Sequence, residues 1–143
     1  QNSRGFRALK VWLQLQQAGR FGYVQVIRED IELAKYAHEL IVKHPELEAA
    51  THGLSITTFR YIPRDLRESI GVDTTEKYLD ELNTELLTEI EKRGEVFLSP
   101  AVLHDRYHLR MCIVNFRTTR ADVEALPEIV VRTGREVHAR LKT

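Results

Sequence analysis

Apolar side chains recur at steps of three and four over most of the chain, and two stretches break into short strand-like runs. Over residues 4–18, Phe6, Leu9, Leu13 and Gln16 share one stripe, Trp12 and Leu15 lie beside it, and Gly19 supplies a stop. A second helix is predicted from about residue 23 to residue 43, on Val26, Ile27, Leu33, Tyr36, Ala37, Leu40 and Ile41, closed by Pro45. Residues 47–51 and 54–62 read as two strands broken at His52-Gly53, the second rich in Ile, Thr, Phe and Tyr. Residues 63–72 read as a loop. Asp73 followed by Glu76 has the form of a capping box, and Leu79, Leu82, Leu86 and Ile90 carry a helix to about Lys92, ended by Gly94. Residues 96–99 and 107–116 are two further strands, joined through Pro100 and the polar turn His104-Asp105-Arg106. A last helix starts near Thr119 with Asp122 placed to cap it, and it runs through Val123, Val130, Val137 and Leu141. Pro127 is expected to kink or restart it.

Strands in adjacent pairs with helices between the pairs predict an α+β fold: a mainly antiparallel four-stranded sheet with helices on one face. The first helix is the odd member. Phe6, Leu9, Val11, Trp12, Leu13 and Leu15 spread over more than one of its faces, more than one small sheet needs. Such a helix is expected to bridge to another domain.

With 143 residues, 43% apolar and 29% charged, the chain is the size and composition of one globular domain. Lys plus Arg equals Asp plus Glu at 21 each, so no electrostatic pull toward nucleic acid or an anionic membrane is expected. No run approaches the ~18 apolar residues of a membrane span. The single cysteine, Cys112, excludes an intrachain disulfide and a cysteine-rich metal site. Together with the lack of a secretory segment it points to a reducing cytoplasm. The chain opens at Gln1, with no Met and a helical pattern almost at once, as a piece of something longer would.

Gly-rich phosphate loops, Cys/His metal motifs, a nucleophile elbow and HExxH are all missing, which weighs against a self-contained enzyme. The six histidines form no ligand pair at helical spacing, and His104 and His108 flank a predicted turn. Cys112, between Met111 and Ile113, is expected to be buried filler. Arg4, Arg7 and Lys10 make the first helix basic at its start, as a solvated face or a contact with an acidic partner domain. Arg110 is the residue of interest. Strand alternation puts Tyr107, Leu109, Met111 and Ile113 on one face and His108, Arg110, Cys112 and Val114 on the other. An Arg in the middle of an apolar strand is a structural ion pair, an edge residue reaching solvent, or an anion clamp whose planar fork grips a carboxylate.

The opening Ser3-Arg4-Gly5-Phe6-Arg7-Ala8-Leu9-Lys10-Val11-Trp12 resembles the start of the C-terminal region of the group II pyridoxal-phosphate-dependent decarboxylases, which act on aromatic amino acids, histidine, tyrosine and glutamate. Gly5 stands where a second Arg is common in the family's Arg-Arg-x-x-x-Ala-Leu-Lys-x-Trp pattern. Gly19 and Gly22, Ile27-Arg28, Leu33-Ala34, residues 53–60, Leu98-Ser99-Pro100 through Leu109-Arg110, and residues 118–123 continue the resemblance in register.

The resemblance implies the small C-terminal domain of a fold-type I enzyme. Residues 1–20 would be a bridging helix leading from a missing large domain that binds pyridoxal 5'-phosphate, and residues 21–143 the small domain. The Schiff-base lysine, the Asp paired with the pyridine nitrogen and the His stacked on the ring belong to that large domain. No cofactor and no catalytic residue are therefore expected here, and Lys10 and the other lysines are not catalytic. Only Arg110 maps onto an active-site position, the one that meets the substrate carboxylate. The parent would be a cytoplasmic homodimer that removes the α-carboxylate of an L-amino acid as CO2. The piece would supply one wall of its site and be inactive alone. The alternative is a stand-alone α+β ligand-binding, regulatory or dimerisation domain.

Overall fold

The computed structural model describes residues 5–143, so Arg4 lies outside the described residues. The elements run α1 (Arg7–Lys43), β1 (Leu47–Gly53), β2 (Ile56–Tyr61), a 3-10 turn (Arg64–Ser69), α2 (Asp73–Arg93), β3 (Ser99–Leu103), β4 (Arg106–Cys112) and α3 (Arg120–Leu141). The four strands form one antiparallel sheet in the order β1-β2-β4-β3. The α+β class read from the sequence is the fold found.

One face of the sheet carries Phe59 and Tyr61 from β2 and Leu109 and Met111 from β4. The helices bury it with Ala34, Ala37 and Ile41 of α1, Leu79, Leu82, Leu86 and Ile90 of α2, and Val123, Val130 and Val137 of α3. Polar side chains fix the layers. Thr57 donates its hydroxyl to the Ala34 carbonyl at 3.2 Å, tying α1 to β2. Asn83 accepts from the Tyr61 amide at 2.8 Å and donates to the Tyr61 carbonyl at 3.0 Å. It thus stands in for a neighbouring strand where the β2–β4 ladder ends at Phe59. Gly134 of α3 passes so close to the Tyr61 ring that a Cβ there would lie 2.6 Å from a ring carbon.

Several boundaries differ from the sequence reading. Gly19 does end the first helical segment, at φ 61° and ψ −179°, but the second segment of α1 resumes directly after it rather than near residue 23. The first hairpin turns at Leu54-Ser55 rather than His52-Gly53, because His52 still pairs with Thr57 and a bulge between Ala49 and Thr51 absorbs the register. The loop after β2 contains the 3-10 turn. Asp73 caps nothing: the N-cap is Val72, and the Glu76 carboxylate takes the Gly71 amide and the Arg60 guanidinium instead. The third strand is Ser99–Leu103, with Pro100 inside it on a sheet edge, where proline is tolerated. The fourth ends at Cys112 rather than residue 116. The cap at Thr119 is the reciprocal box expected with Asp122. Pro127 does not restart α3, which runs unbroken through it. Its ring is buried, and that packing offsets the lost backbone hydrogen bond.

The first half of α1 stands off this core. Phe6, Val11, Trp12, Leu13, Leu15 and Phe21 are all exposed, Trp12 at 56% and Phe21 at 89%.

Candidate functional site

The sheet face turned away from the helices carries the polar side chains. Pairing sets Thr51 opposite Thr58, Thr58 opposite Arg110, and Arg110 opposite Ser99. One polar row therefore crosses all four strands. The neighbouring row holds Glu48 opposite Arg60 and Ala101 opposite His108.

Arg60 and Arg110, both on this face, are in opposite situations. Arg60 is 1% exposed. Its Nε donates to Glu48 at 2.5 Å and its Nη1 to Glu76 at 2.6 Å. Burial opposes its charge, but the two carboxylates outweigh that and raise its pKa further. Burial pushes the Glu76 carboxyl up, while Arg60, the Gly71 amide and Arg106 bring it net below its ordinary value. The Nη2 of Arg60 is buried, without a partner among the described residues. Two of the three nitrogens of this guanidinium are therefore spent on the fold.

Arg110 is exposed, and its Nε donates to the Ser99 hydroxyl at 2.9 Å. None of the ion pairs among the described residues includes Arg110. Its flank on β2 does not compete for it, because the Thr58 hydroxyl is engaged with that of Thr51 at 2.6 Å. Arg110 is thus a fixed cation on a rigid strand with both Nη groups uncommitted, a geometry suited to a carboxylate. Of the three readings open at the sequence level, the structural ion pair is not formed among the described residues.

His108 is buried beside Arg60, with Nδ1 3.0 Å from the Arg106 carbonyl. Burial pushes its pKa down, which favours the neutral ring. His104 sits in the β3–β4 turn in the left-handed region (φ 52°). With Glu48, Thr51, Arg60 and Arg106 the two histidines border a recess of about 350 Å³ over the second row. Cys112 corrects the expectation of a buried filler: it is exposed. Alternation puts it on the Arg110 face, where no helix covers it. Ser99 and the Glu48–Arg60–Glu76 cluster escaped the sequence reading. The register that brings Ser99 to Arg110 depends on β3 starting at Ser99, and the Arg60 cluster depends on the β1–β2 register and on how the start of α2 folds back to β2.

Among the described residues every lysine lies on α1, on α2 or at the end of α3, and none on the sheet. A cofactor held as an imine needs a lysine on the face where it binds, and among the described residues the Arg110 face offers none. The residues of this chain do not by themselves fit pyridoxal phosphate.

The family model described as "Pyridoxal-dependent decarboxylase conserved domain" matches residues 1–62. The aromatic-L-amino-acid decarboxylase of Bacillus atrophaeus is 38% identical over 122 residues, which are 85% of this chain and 24% of that protein. The chain therefore spans about a quarter of that relative's length. A structure of Oryza sativa TDC with PLP and tryptamine superposes with a TM-score of 0.76 at 26% identity, covering 93% of this chain and 27% of the other. Mouse CSAD in apo form has the same fold, with a TM-score of 0.84 at 23% identity over 94% of this chain and 29% of that one. The structural neighbours share the fold, and on the sequence matches the chain belongs to the pyridoxal-dependent decarboxylase family.

Proposed function

We propose that this chain is the C-terminal small domain of an enzyme that removes the α-carboxylate of an L-amino acid as CO2, and that Arg110 binds that carboxylate. The observation that carries the reading is the uncommitted Arg110 guanidinium, exposed on a strand and held through Nε alone. Family membership supports the reaction class. The quarter-length match to the Bacillus relative supports a second, larger domain in the parent. That domain would supply pyridoxal phosphate and its lysine, and the cofactor when bound supplies the electron sink for breaking the bond to CO2. Residues 1–20 would lead from it, their exposed apolar side chains covered in a cytoplasmic homodimer.

Arg110 is a positioning group in this scheme. The carboxylate's charge disappears during the reaction, so a grip that tightened only on the bound substrate would slow the step. Its use is to fix the carboxylate's direction, with the fork mounted on a sheet. The piece alone is inactive, since no lysine shares its face.

The test is CO2 release from carboxyl-labelled L-amino acids, supplied with pyridoxal phosphate. The protein of the complete reading frame releases it, and the 143-residue chain does not. A reading frame that encodes no further domain, or release by the chain alone, overturns the proposal and favours a stand-alone binding or dimerisation module.

A further inference from the structure

We propose that Ser99 is a positioning residue that sets which edge of Arg110 meets the carboxylate. The inference rests on the reading of Arg110 given above. A guanidinium can take a carboxylate on two edges, side-on through Nε and one Nη or end-on through Nη1 and Nη2. Here the Nε edge is taken. Arg110 Nε donates to Ser99 Oγ at 2.9 Å, and the same oxygen lies 3.4 Å from the Arg110 carbonyl, within reach of its own proton. Ser99 accepts from the side chain of its cross-strand partner and donates to that partner's backbone, so the hydroxyl works as a bracket on one residue. Only the end-on fork remains.

Local sequence keeps the bracket in place. Ser99 precedes Pro100, and a residue before proline is held in extended backbone. That fixes the direction of a short side chain with a single χ angle to set. No other neighbour in the row can do the same, because the Thr58 hydroxyl is bonded to Thr51. Arg110 is exposed and Ser99 only half-buried, so the contact adds little to folding. Its effect falls on the rotamer of Arg110, a long side chain that would otherwise sample many.

The experiment uses the full-length holoenzyme with Ser99→Ala, Ser99→Thr and Arg110→Ala. The readouts are kcat/KM for the amino acid and the inhibition constant of the corresponding amine, which lacks the carboxylate. Ser99→Ala is expected to lower kcat/KM about threefold to tenfold, the range carried by one hydrogen bond. It leaves amine inhibition unchanged, and Ser99→Thr, which keeps the hydroxyl, restores kcat/KM. In the 143-residue chain, the Arg110 Nε–H is protected from solvent exchange, and Ser99→Ala removes that protection while leaving the backbone spectrum intact. If Arg110→Ala leaves kcat/KM intact, the carboxylate reading falls and this inference falls with it. If Arg110→Ala impairs the enzyme but Ser99→Ala does not, the carboxylate reading stands and the positioning role is overturned. Equal weakening of the amine by Ser99→Ala also overturns it, since a merely structural loss moves both constants.

Discussion

Replacing Arg60 and Arg110 by alanine in turn separates a guanidinium held by the fold from one held ready for a ligand. Arg60 is 1% exposed and satisfies two carboxylates, Glu48 and Glu76. Removing it leaves Glu76, whose side chain is 11% exposed, with only Arg106 at 3.4 Å for a cation. Breaking a buried pair by deleting one partner costs about 3–5 kcal/mol. Domains of this size hold about 5–15 kcal/mol in all, so Arg60→Ala removes a large share. Arg110→Ala loses one exposed hydrogen bond, to Ser99. That is worth about 0.5–1.5 kcal/mol at most. Urea unfolding followed by far-UV circular dichroism reads both. With one urea slope of about 1–3 kcal/mol per molar for both variants, Arg60→Ala shifts the midpoint by about 1 M or more, at least about twice the shift of Arg110→Ala. A midpoint shift for Arg110→Ala as large as that for Arg60→Ala would make Arg110 structural and rule out a guanidinium held ready for a ligand.

Three further outcomes are expected. Gly134→Ala should destabilise the chain by about 1–2 kcal/mol in the same assay, since the cost of overpacking a Cβ against Tyr61 exceeds the helix-propensity gain of at most about 1 kcal/mol; a stabilised variant would show the contact to be loose. The chain should lose stability in acid. The hydrogen bond from Arg135, and the charges of Arg135 and Arg64, hold the buried Glu46 carboxyl below its ordinary value against the upward push of burial. Its contribution is whole above the ordinary carboxylate range and is lost as pH falls through the lowered folded value, so Glu46→Gln flattens the acid limb of a stability–pH curve. An unchanged limb would remove Glu46 from the account. Cys112 should react stoichiometrically with a thiol reagent in the native chain, and protection until unfolding would contradict its exposed place on the sheet.

Periodicity was enough to read the α+β order, because each helix of the core carries its apolar stripe at a regular step and each strand its alternation. It failed where tertiary partners override local chemistry. Asp73 and Glu76 look like a cap, but the buried Arg60 draws Glu76 to itself and leaves the helix uncapped by side chains. Pro100 and Pro127 look like breaks, but an edge strand and a buried helix face each accept one. Alternation put Arg110 and Cys112 on one face, and treating Cys112 as buried set a residue-type preference against that geometry. The role of Ser99 could not be read from the sequence, since it exists only through the β3–β4 register.

The proposed carboxylate contact of Arg110 is read from kcat/KM of the full-length enzyme carrying Arg110→Ala and Arg110→Lys. Deleting one partner of a desolvated charge pair costs about 2–5 kcal/mol, so Arg110→Ala should lower kcat/KM about 30-fold to several thousand-fold. Arg110→Lys keeps the charge and loses the fork, and should fall between the two. Wild-type kcat/KM in a folded Arg110→Ala enzyme would contradict the account.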